Sequence, residues 1–335
     1  MIRVGLVGYG LSGRWLQAPF FAVHPAFQLK KIVTSQEIDK QLYPNTLRSS
    51  DLDDLINDSE IDLISICSPS DTHADYAKRA LLAGKHVLVE KPITATYEEA
   101  IELIKISKEA NKTLMIYQNR RFDGDFMTVK RVLESGMIGD LISYEAKWHR
   151  YNPILNPKPW KEKVTPGNGI IYDLGAHLID QAIYLFGVPP KYHGDVFTER
   201  SNSHIDDAFY VNMNYGNFRV KLSASLMAKE FEPRYVLHGT LGTYTKYGFD
   251  TQEDQLRAGY LPGMIGFGDE LEENYGSITT QLAGLELKGT IKTYAGNWSL
   301  LFDNLADVIL NGAEAIIKPE ETAEQIKIIE TVKGM

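Results

Sequence analysis

Three groups of residues in this chain are of types that do chemistry, and each follows or opens an element that can hold it. Lys91 lies in Glu90-Lys91-Pro92, directly after the run His86-Val87-Leu88-Val89. A lysine at a strand end can hydrogen-bond a substrate oxygen and relay its proton, and Pro92 stiffens the loop that must hold it. Asp173 and His177 are four residues apart in a segment that reads as helix, so both project from one face, and Asp180 joins the same stripe. A carboxylate stacked on an imidazole with an ordinary pKa of about 6.5 makes a proton-transfer pair. The third group is Gly8-Tyr9-Gly10-Leu11-Ser12-Gly13, which ends the apolar run through Val7. Its spacing is that of the G-x-G-x-x-G dinucleotide turn. Gly8 allows the tight bend, Gly10 lets backbone approach a pyrophosphate, and Gly13 lets helix pack on strand. The N–H groups at Leu11 and Ser12 would then meet phosphate charge. Each group also has a plainer reading: a structural glycine turn, a surface lysine, a surface Asp/His pair worth tenths of a kcal/mol.

The elements that must position these groups alternate between strand and helix. Arg14 to Val23 reads as the first helix and Phe27 to Val33 as the second strand. In dinucleotide folds an acid near the end of that strand bonds the ribose of NAD. Here Val33 is followed by Thr34, Ser35 and Gln36, and the nearest acid is Glu37. Without a carboxylate to repel a 2′-phosphate, and with two hydroxyls to donate to it, NADP is favoured over NAD; Arg14 could also reach that phosphate. In the plainer reading Thr34 and Ser35 only turn the chain. Asp51 to Asn57 suits a short helix, and Ile61 to Cys67 a third strand ending in Ser68-Pro69-Ser70-Asp71-Thr72-His73. Ser68, Pro69 and Thr72 would form a polar loop over the cofactor, with His73 touching cofactor or capping the helix that follows rather than acting in catalysis. Ligands bind outside the carboxyl ends of such strands, which pushes Glu90 and Lys91 towards them. Thr96 to Ala110 is an amphipathic helix and Thr113 to Tyr117 a strand, followed by Gln118-Asn119-Arg120-Arg121-Phe122-Asp123 as the crossover out of the nucleotide domain. Phe126 to Ser135 is helical.

From Leu141 onward the texture is that of strands, at Ile142–His149, Lys191–Thr198, Ala208–Tyr215, Phe218–Met227, Tyr235–Gly239 and Thr243–Tyr247. The alternation in Val220-Lys221-Leu222-Ser223-Ala224 predicts a sheet with one buried and one polar face. Ala258 to Ser277 is loop-like, and Thr290 to Asn297 precedes helices at Leu300–Leu310 and Ala323–Val332. No task is assigned to the glycine-rich 258–277 stretch. No metal is expected, since Asp180 is the one nearby further ligand for the Asp/His pair, and no G-x-S-x-G elbow supports a serine hydrolase.

At 335 residues, with 44% hydrophobic and 24% charged, the chain has the composition of an ordinary globular protein of two domains. The domains are expected at 1–120, binding dinucleotide, and 121–335, binding substrate. A net charge of −9 argues against nucleic acid, and no run approaches the roughly 18 apolar residues of a membrane span. The single cysteine, Cys67, makes no internal disulfide and fits a cytoplasmic setting. The fold class is α/β: a doubly wound Rossmann sheet, then an α+β domain with a large, mostly antiparallel, open-faced sheet.

In order and spacing, Gly8/Gly10/Gly13, Glu90-Lys91-Pro92 and the Asp173…His177 helix with its preceding Gly167-Asn168-Gly169 resemble the glucose–fructose oxidoreductase / inositol dehydrogenase (Gfo/Idh/MocA) family over essentially the whole chain. Asn119-Arg120-Arg121-Phe122 and the segment from Tyr235 to Leu261 look most like the subgroup of NADP-dependent scyllo-inositol 2-dehydrogenases. The resemblance implies a nicotinamide-dependent dehydrogenase of polyols or sugars in which Lys91, Asp173 and His177 are the catalytic set. Asn119 would lie by the cofactor and Arg120 by the substrate; Trp148, Arg150, Tyr151 and Trp160 are candidates for sugar recognition because aromatic faces and a charged fork suit polyols, with a core position as the plainer reading of Trp148. Asn168 departs from the pattern, standing where many members have a third glycine. The resemblance also implies a homodimer or homotetramer paired through the open sheet face, hiding its apolar residues. Two alternatives stay open: a non-catalytic dinucleotide-binding sensor, which would be expected to lose the lysine or the histidine, and a reductase of another substrate class.

Overall fold

The computed structural model describes residues 1–230 and 232–335, with the side chains of Pro159 and Trp160 outside the described residues. The chain forms two compact units. One comprises Met1–Asn119, Gln252–Phe267 and Trp298–Ala323; the other comprises Arg120–Thr251, Gly268–Asn297 and Glu324–Met335.

In the first unit six strands, β1 (Ile2–Val7), β2 (Phe27–Val33), β3 (Leu47–Ser49), β4 (Leu63–Ile66), β5 (His86–Val89) and β6 (Leu114–Ile116), make one sheet in the order β3-β2-β1-β4-β5-β6. Every pairing is parallel. Strands covered on both faces must be apolar throughout rather than alternating, and β4 is buried at all four positions. The strand order reverses beside β1, so the ends of β1 and β4 flank the switch point where doubly wound folds bind ligands. The helices are α1 (Ala18–Val23), α2 (Asp53–Ile56), α3 (His73–Leu82) and α4 (Tyr97–Glu109). Thr96 and Glu99 close a reciprocal capping box at the start of α4.

A single boundary at 120/121 does not describe this unit, because two later segments return to it. Aromatic packing is the reason. Phe302 stacks on Phe20 with ring centroids 4.8 Å apart and meets Phe21 edge-on at 5.0 Å, while Phe267 also approaches Phe20. Gln252 Oε1 accepts from the Trp298 backbone N–H at 2.8 Å, linking the two returning segments.

The second unit opens with α5 (Gly124–Glu134) and carries an eight-stranded sheet. Its strands are β7 (Leu141–His149), β8 (Lys191–Phe197), β9 (Ala208–Asn214), β10 (Arg219–Ser225), β11 (Tyr235–Gly239), β12 (Gly242–Lys246), β13 (Gly276–Leu282) and β14 (Leu285–Ile291). They run β14-β13-β12-β11-β7-β10-β9-β8, antiparallel except for β10 against β7. Between β7 and β8 lies α6 (Ala176–Phe186), and α9 (Pro319–Lys333) comes last in the chain; α7 (Gln252–Arg257) and α8 (Ser299–Asn311), after β12 and β14, lie in the segments that belong to the first unit. Tyr144, Ala146, Val220, Leu222, Ala224, Val211 and Leu237 are buried, as the alternation predicts. The other face is mostly polar, with ion pairs such as Lys221–Glu145 at 2.9 Å, and Phe197 and Tyr210 are its main exposed large hydrophobics. Among the described residues, the face through which the resemblance implies pairing thus carries few apolar side chains for such pairing to hide.

The β13–β14 hairpin falls mostly between the loop-like stretch that ends at Ser277 and the segment from Thr290, where the sequence pattern gives no element. Strand β14 is exposed at six of its seven positions and shows no alternation of type. Its turn, Ala283-Gly284, takes positive φ at both residues, a conformation for which alanine gives no signal. The three-residue edge strand β3 and the six-residue helix α7 are likewise too short to show a period.

Candidate active site

The glycine turn has the steric character its spacing predicts. Gly8 has φ +92°, and a Cβ there would come within 2.7 Å of the Cys67 carbonyl oxygen; a Cβ at Gly13 would lie 2.0 Å from the Gly8 carbonyl oxygen. At Gly10 a Cβ would meet nothing within 4 Å. Two glycines are thus forced by the protein's own packing, while the third faces open space, the character of a cradle kept clear for a ligand's phosphates. Leu11 is exposed at the head of the helix, which begins as a π-helical turn, Ser12–Gln17, before tightening into α1. Asn119 is buried, and its side-chain amide nitrogen has no hydrogen-bond partner among the described residues. An open cradle and an unsatisfied buried donor fit a dinucleotide.

Glu90 ties this turn to the lysine. Its Oε1 accepts from the Ser12 hydroxyl and from Gln17 Nε2 at 3.1 Å, and its Oε2 accepts the Lys91 backbone N–H at 3.0 Å. Gln17 is itself held by the Ser65 hydroxyl at 2.5 Å. Glu90 and Ser12 are therefore engaged with each other and position Lys91, which is half-buried. Gln17 was not expected here. Its partners are 48 and 73 residues away, so no local pattern marks it.

His73 is buried, with Nδ1 2.7 Å from the Pro92 carbonyl oxygen and Nε2 3.0 Å from that of Ser68. Each ring nitrogen faces a main-chain carbonyl, and the neutral ring, with one N–H, donates to one of the two, so the residue spans two loops. Burial leads the causes that lower its pKa. Ser68 and Thr72 share a hydrogen bond at 2.6 Å beside exposed Pro69. Past β2, Thr34 Oγ1 accepts the Gln36 N–H at 3.0 Å, so Thr34 does turn the chain; its hydroxyl proton remains available, and Ser35 is exposed. Glu37 is drawn off to Arg48 at 3.0 Å. Arg14 is exposed, its guanidinium lying 4.8 Å from the Trp15 ring and 5.9 Å from that of Tyr9.

In the second unit Asp206 sets the start of the Asp173/His177 segment. Its carbonyl and its carboxylate accept from Ile170 and Ile171 N–H at 3.0 and 3.1 Å, and Lys333 pairs with it at 2.5 Å. Gly169 has φ +111°, and any Cβ there would strike Asp206, whereas the departure at Asn168 is half-buried. Ile171–Gly175 is a second π-helical turn, running into α6. π-helical turns are uncommon and frequent at functional sites.

The expected stripe divides. The Asp173 side chain is 51% exposed and 3.9 Å from Lys161, while His177 is 6% exposed. Asp180 is buried in a bidentate pair with Arg121, both contacts at 2.8 Å, and the next residue, Gln181, accepts from the Tyr235 hydroxyl and donates to the Arg120 carbonyl. Asp180 anchors the helix and does not belong to a proton-transfer stripe.

Trp148 is 2% exposed and cannot offer a face to a sugar. It forms a scaffold instead: the His177 ring is 5.6 Å away, Phe249 stacks at 5.4 Å, and the guanidiniums of Arg120, Arg150 and Arg234 lie 5.4, 5.6 and 4.2 Å from its ring. Arg150 and Tyr151 are exposed, with Lys229 5.4 Å over the Tyr151 ring. The Trp160 side chain lies outside the described residues. Among the described residues no cluster of His, Cys, Asp or Glu could hold a metal, and no helix is long and apolar enough to cross a membrane.

Residues 2–118 match a family model described as an oxidoreductase family, NAD-binding Rossmann fold (GFO_IDH_MocA), and residues 130–333 match the C-terminal alpha/beta domain of the same family. The chain belongs to the Gfo/Idh/MocA oxidoreductases. It is 36% identical over 330 residues to scyllo-inositol 2-dehydrogenase (NADP(+)) IolW of Bacillus subtilis, covering 98% of this chain and 92% of that protein. Levoglucosan dehydrogenase of Pseudarthrobacter phenanthrenivorans is 30% identical over 202 residues, 56% of this chain and 51% of its own. The oxidoreductase YvaA structure from Bacillus subtilis superposes with a TM-score of 0.94 at 34% identity, covering 99% of this chain and 96% of that one. As a member of this family the chain is a Rossmann-fold dehydrogenase acting on CH–OH groups.

Proposed function

We propose that this oxidoreductase uses NADP(H) to interconvert a secondary alcohol and a ketone on a cyclic polyol or sugar. The observation that carries the reading is the Glu90 carboxylate, which accepts from Ser12 in the glycine turn and from the Lys91 backbone, tying a lysine to the dinucleotide turn. The NADP-dependent inositol dehydrogenase at 36% identity supports the cofactor and substrate class. Backbone N–H groups from Gly10 to Gly13 hold the pyrophosphate, Thr34, Ser35 and Arg14 the 2′-phosphate, and Asn119 with the Ser68–Thr72 loop the remainder. The bound nicotinamide supplies hydride chemistry. His177 takes the proton from the reacting hydroxyl, or returns it to the ketone oxygen. Lys91 donates a hydrogen bond from Nζ to that same oxygen and steadies the charge developing on it, and Asp173 orients the substrate.

The test is kinetic. Lys91→Met and His177→Ala should each lower kcat by about 10²- to 10⁴-fold, the range of positioned acid–base groups. Turnover unchanged in both would contradict the assignment. A protein that binds NADPH yet turns over no inosose or ketosugar would favour the sensor reading. We further propose a cytoplasmic homodimer or homotetramer assembled through the polar face of the second sheet.

A further inference from the structure

The polar face of the second sheet holds a cavity of about 640 Å³, and its wall is basic. Lys191 opens β8, Asn214 closes β9 and Arg219 opens β10. The register sets Lys191 opposite Asn214 and Asn214 opposite Arg219, so the three stand in one row across neighbouring strands, and all are exposed. Strands about 4.8 Å apart put the Lys191 and Arg219 backbones roughly 10 Å apart on either side of Asn214, a gap that two long side chains close. The row consists of donors. Asn214 Oδ1 accepts the Gly216 N–H at 2.8 Å, which leaves the amide nitrogen to donate, and lysine and arginine have no acceptor at all. Among the described residues neither Lys191 nor Arg219 forms an ion pair, whereas the next cation on β10, Lys221, meets Glu145 at 2.9 Å. No aspartate or glutamate lines the cavity, in a chain whose net charge is −9. In the next row Asn212 Nδ2 lies 3.4 Å from His193 Nε2, and Ile142 and Phe218 supply an apolar wall. Arg219 precedes buried Val220, which shares its face with Ala224 and Trp148, so the cavity lies on the opposite face of the sheet from Trp148 and the His177 ring beside it.

We propose that this cavity binds a small organic phosphomonoester, its phosphate held by Lys191, Asn214 and Arg219 and its organic part against Ile142 and Phe218. The three terminal oxygens of a phosphate dianion are acceptors, and they match three side chains that only donate, two of them charged. The volume lies within the roughly 300–1,000 Å³ of small-molecule sites, more than a lone ion fills. The ester is a ligand other than the substrate, because the site faces away from His177. It lies on the face proposed above for subunit pairing, so assembly is measured together with binding.

The test is a binding measurement that does not depend on turnover. The purified protein, in saturating NADPH to fill the 2′-phosphate site proposed above, is titrated calorimetrically with phenyl phosphate, inorganic phosphate and phenol. Phenyl phosphate should bind once per chain and at least about 5-fold tighter than inorganic phosphate, with no saturable heat from phenol. Its affinity should fall as salt rises, because both cations are exposed. Lys191→Gln and Arg219→Gln, on exposed positions outside the reaction machinery, should fold as the parent does and each weaken phenyl phosphate by about 10-fold or more. Sedimentation velocity of the parent and both variants, with and without phenyl phosphate, follows assembly. Absence of binding to the parent, or binding unchanged in both variants, would overturn the proposal, as would phenol or inorganic phosphate binding as tightly as the ester. Variants that lose assembly while keeping the parent's affinity for phenyl phosphate would assign the two cations to an acidic surface of a second copy, and would overturn it too.

Discussion

Asp173 and Asp180 share a helical face in sequence and have opposite fates. Asp173 is half-exposed beside Lys161; Asp180 is closed on Arg121, whose side chain has no exposure. Removing one member of a buried pair leaves the other charge uncompensated, so Asp180→Ala should cost about 3 to 5 kcal/mol in denaturant unfolding. Asp173→Ala should change stability by less than about 0.5 kcal/mol and act on turnover instead. Another residue sets an acid limit. Burial, and then the nearby Lys112, push the His86 pKa down to about 4, and its Nδ1 accepts the Thr113 N–H at 3.0 Å. The folded protein holds this ring neutral while the unfolded chain protonates it near pH 6.5, so its contribution is present above that pH and declines towards pH 4. His86→Gln, which keeps an acceptor, should flatten that part of the stability profile; an unchanged slope would refute the assignment.

Among the elements, the glycine turn offers the cleanest separation of folding from function. Gly13→Ala forces a Cβ to within 2.0 Å of a carbonyl oxygen and should destabilise the protein by about 3 kcal/mol or more. Gly10→Ala adds a methyl to open space; stability should stay within about 0.5 kcal/mol of the parent while dinucleotide affinity drops. Equal losses of stability in the two variants would mean that Gly10 serves packing alone. This turn was legible because strand, spacing and helix are contiguous. The helix bearing Asp173 and His177 was legible as a helix, but not its π-helical start or its anchoring, since Asp206 lies 35 residues from the Ile171 amide it receives. Trp148 shows a further limit: an aromatic residue near a candidate site reads the same whether it faces ligand or core, and three arginines decide the matter only once the sheet is folded.

For the molecule as a whole, the switch from continuous apolar runs to alternation at Leu141 marked the change from parallel to mostly antiparallel sheet. The return of residues 252–267 and 298–323 to the first unit left no such mark, because Phe302 and Trp298 read simply as helix and loop apolar residues until they meet Phe20. Cofactor choice is decided by one titration. Purified protein is titrated with NADPH and with NADH while following nicotinamide fluorescence. With Glu37, the nearest acid after β2, paired to Arg48, and with Thr34, Ser35 and exposed Arg14 to receive a 2′-phosphate, NADPH should bind tighter by about 10-fold or more. Tighter NADH would contradict the reading of Thr34, Ser35 and Arg14, and binding of neither would contradict the reading of the glycine turn itself.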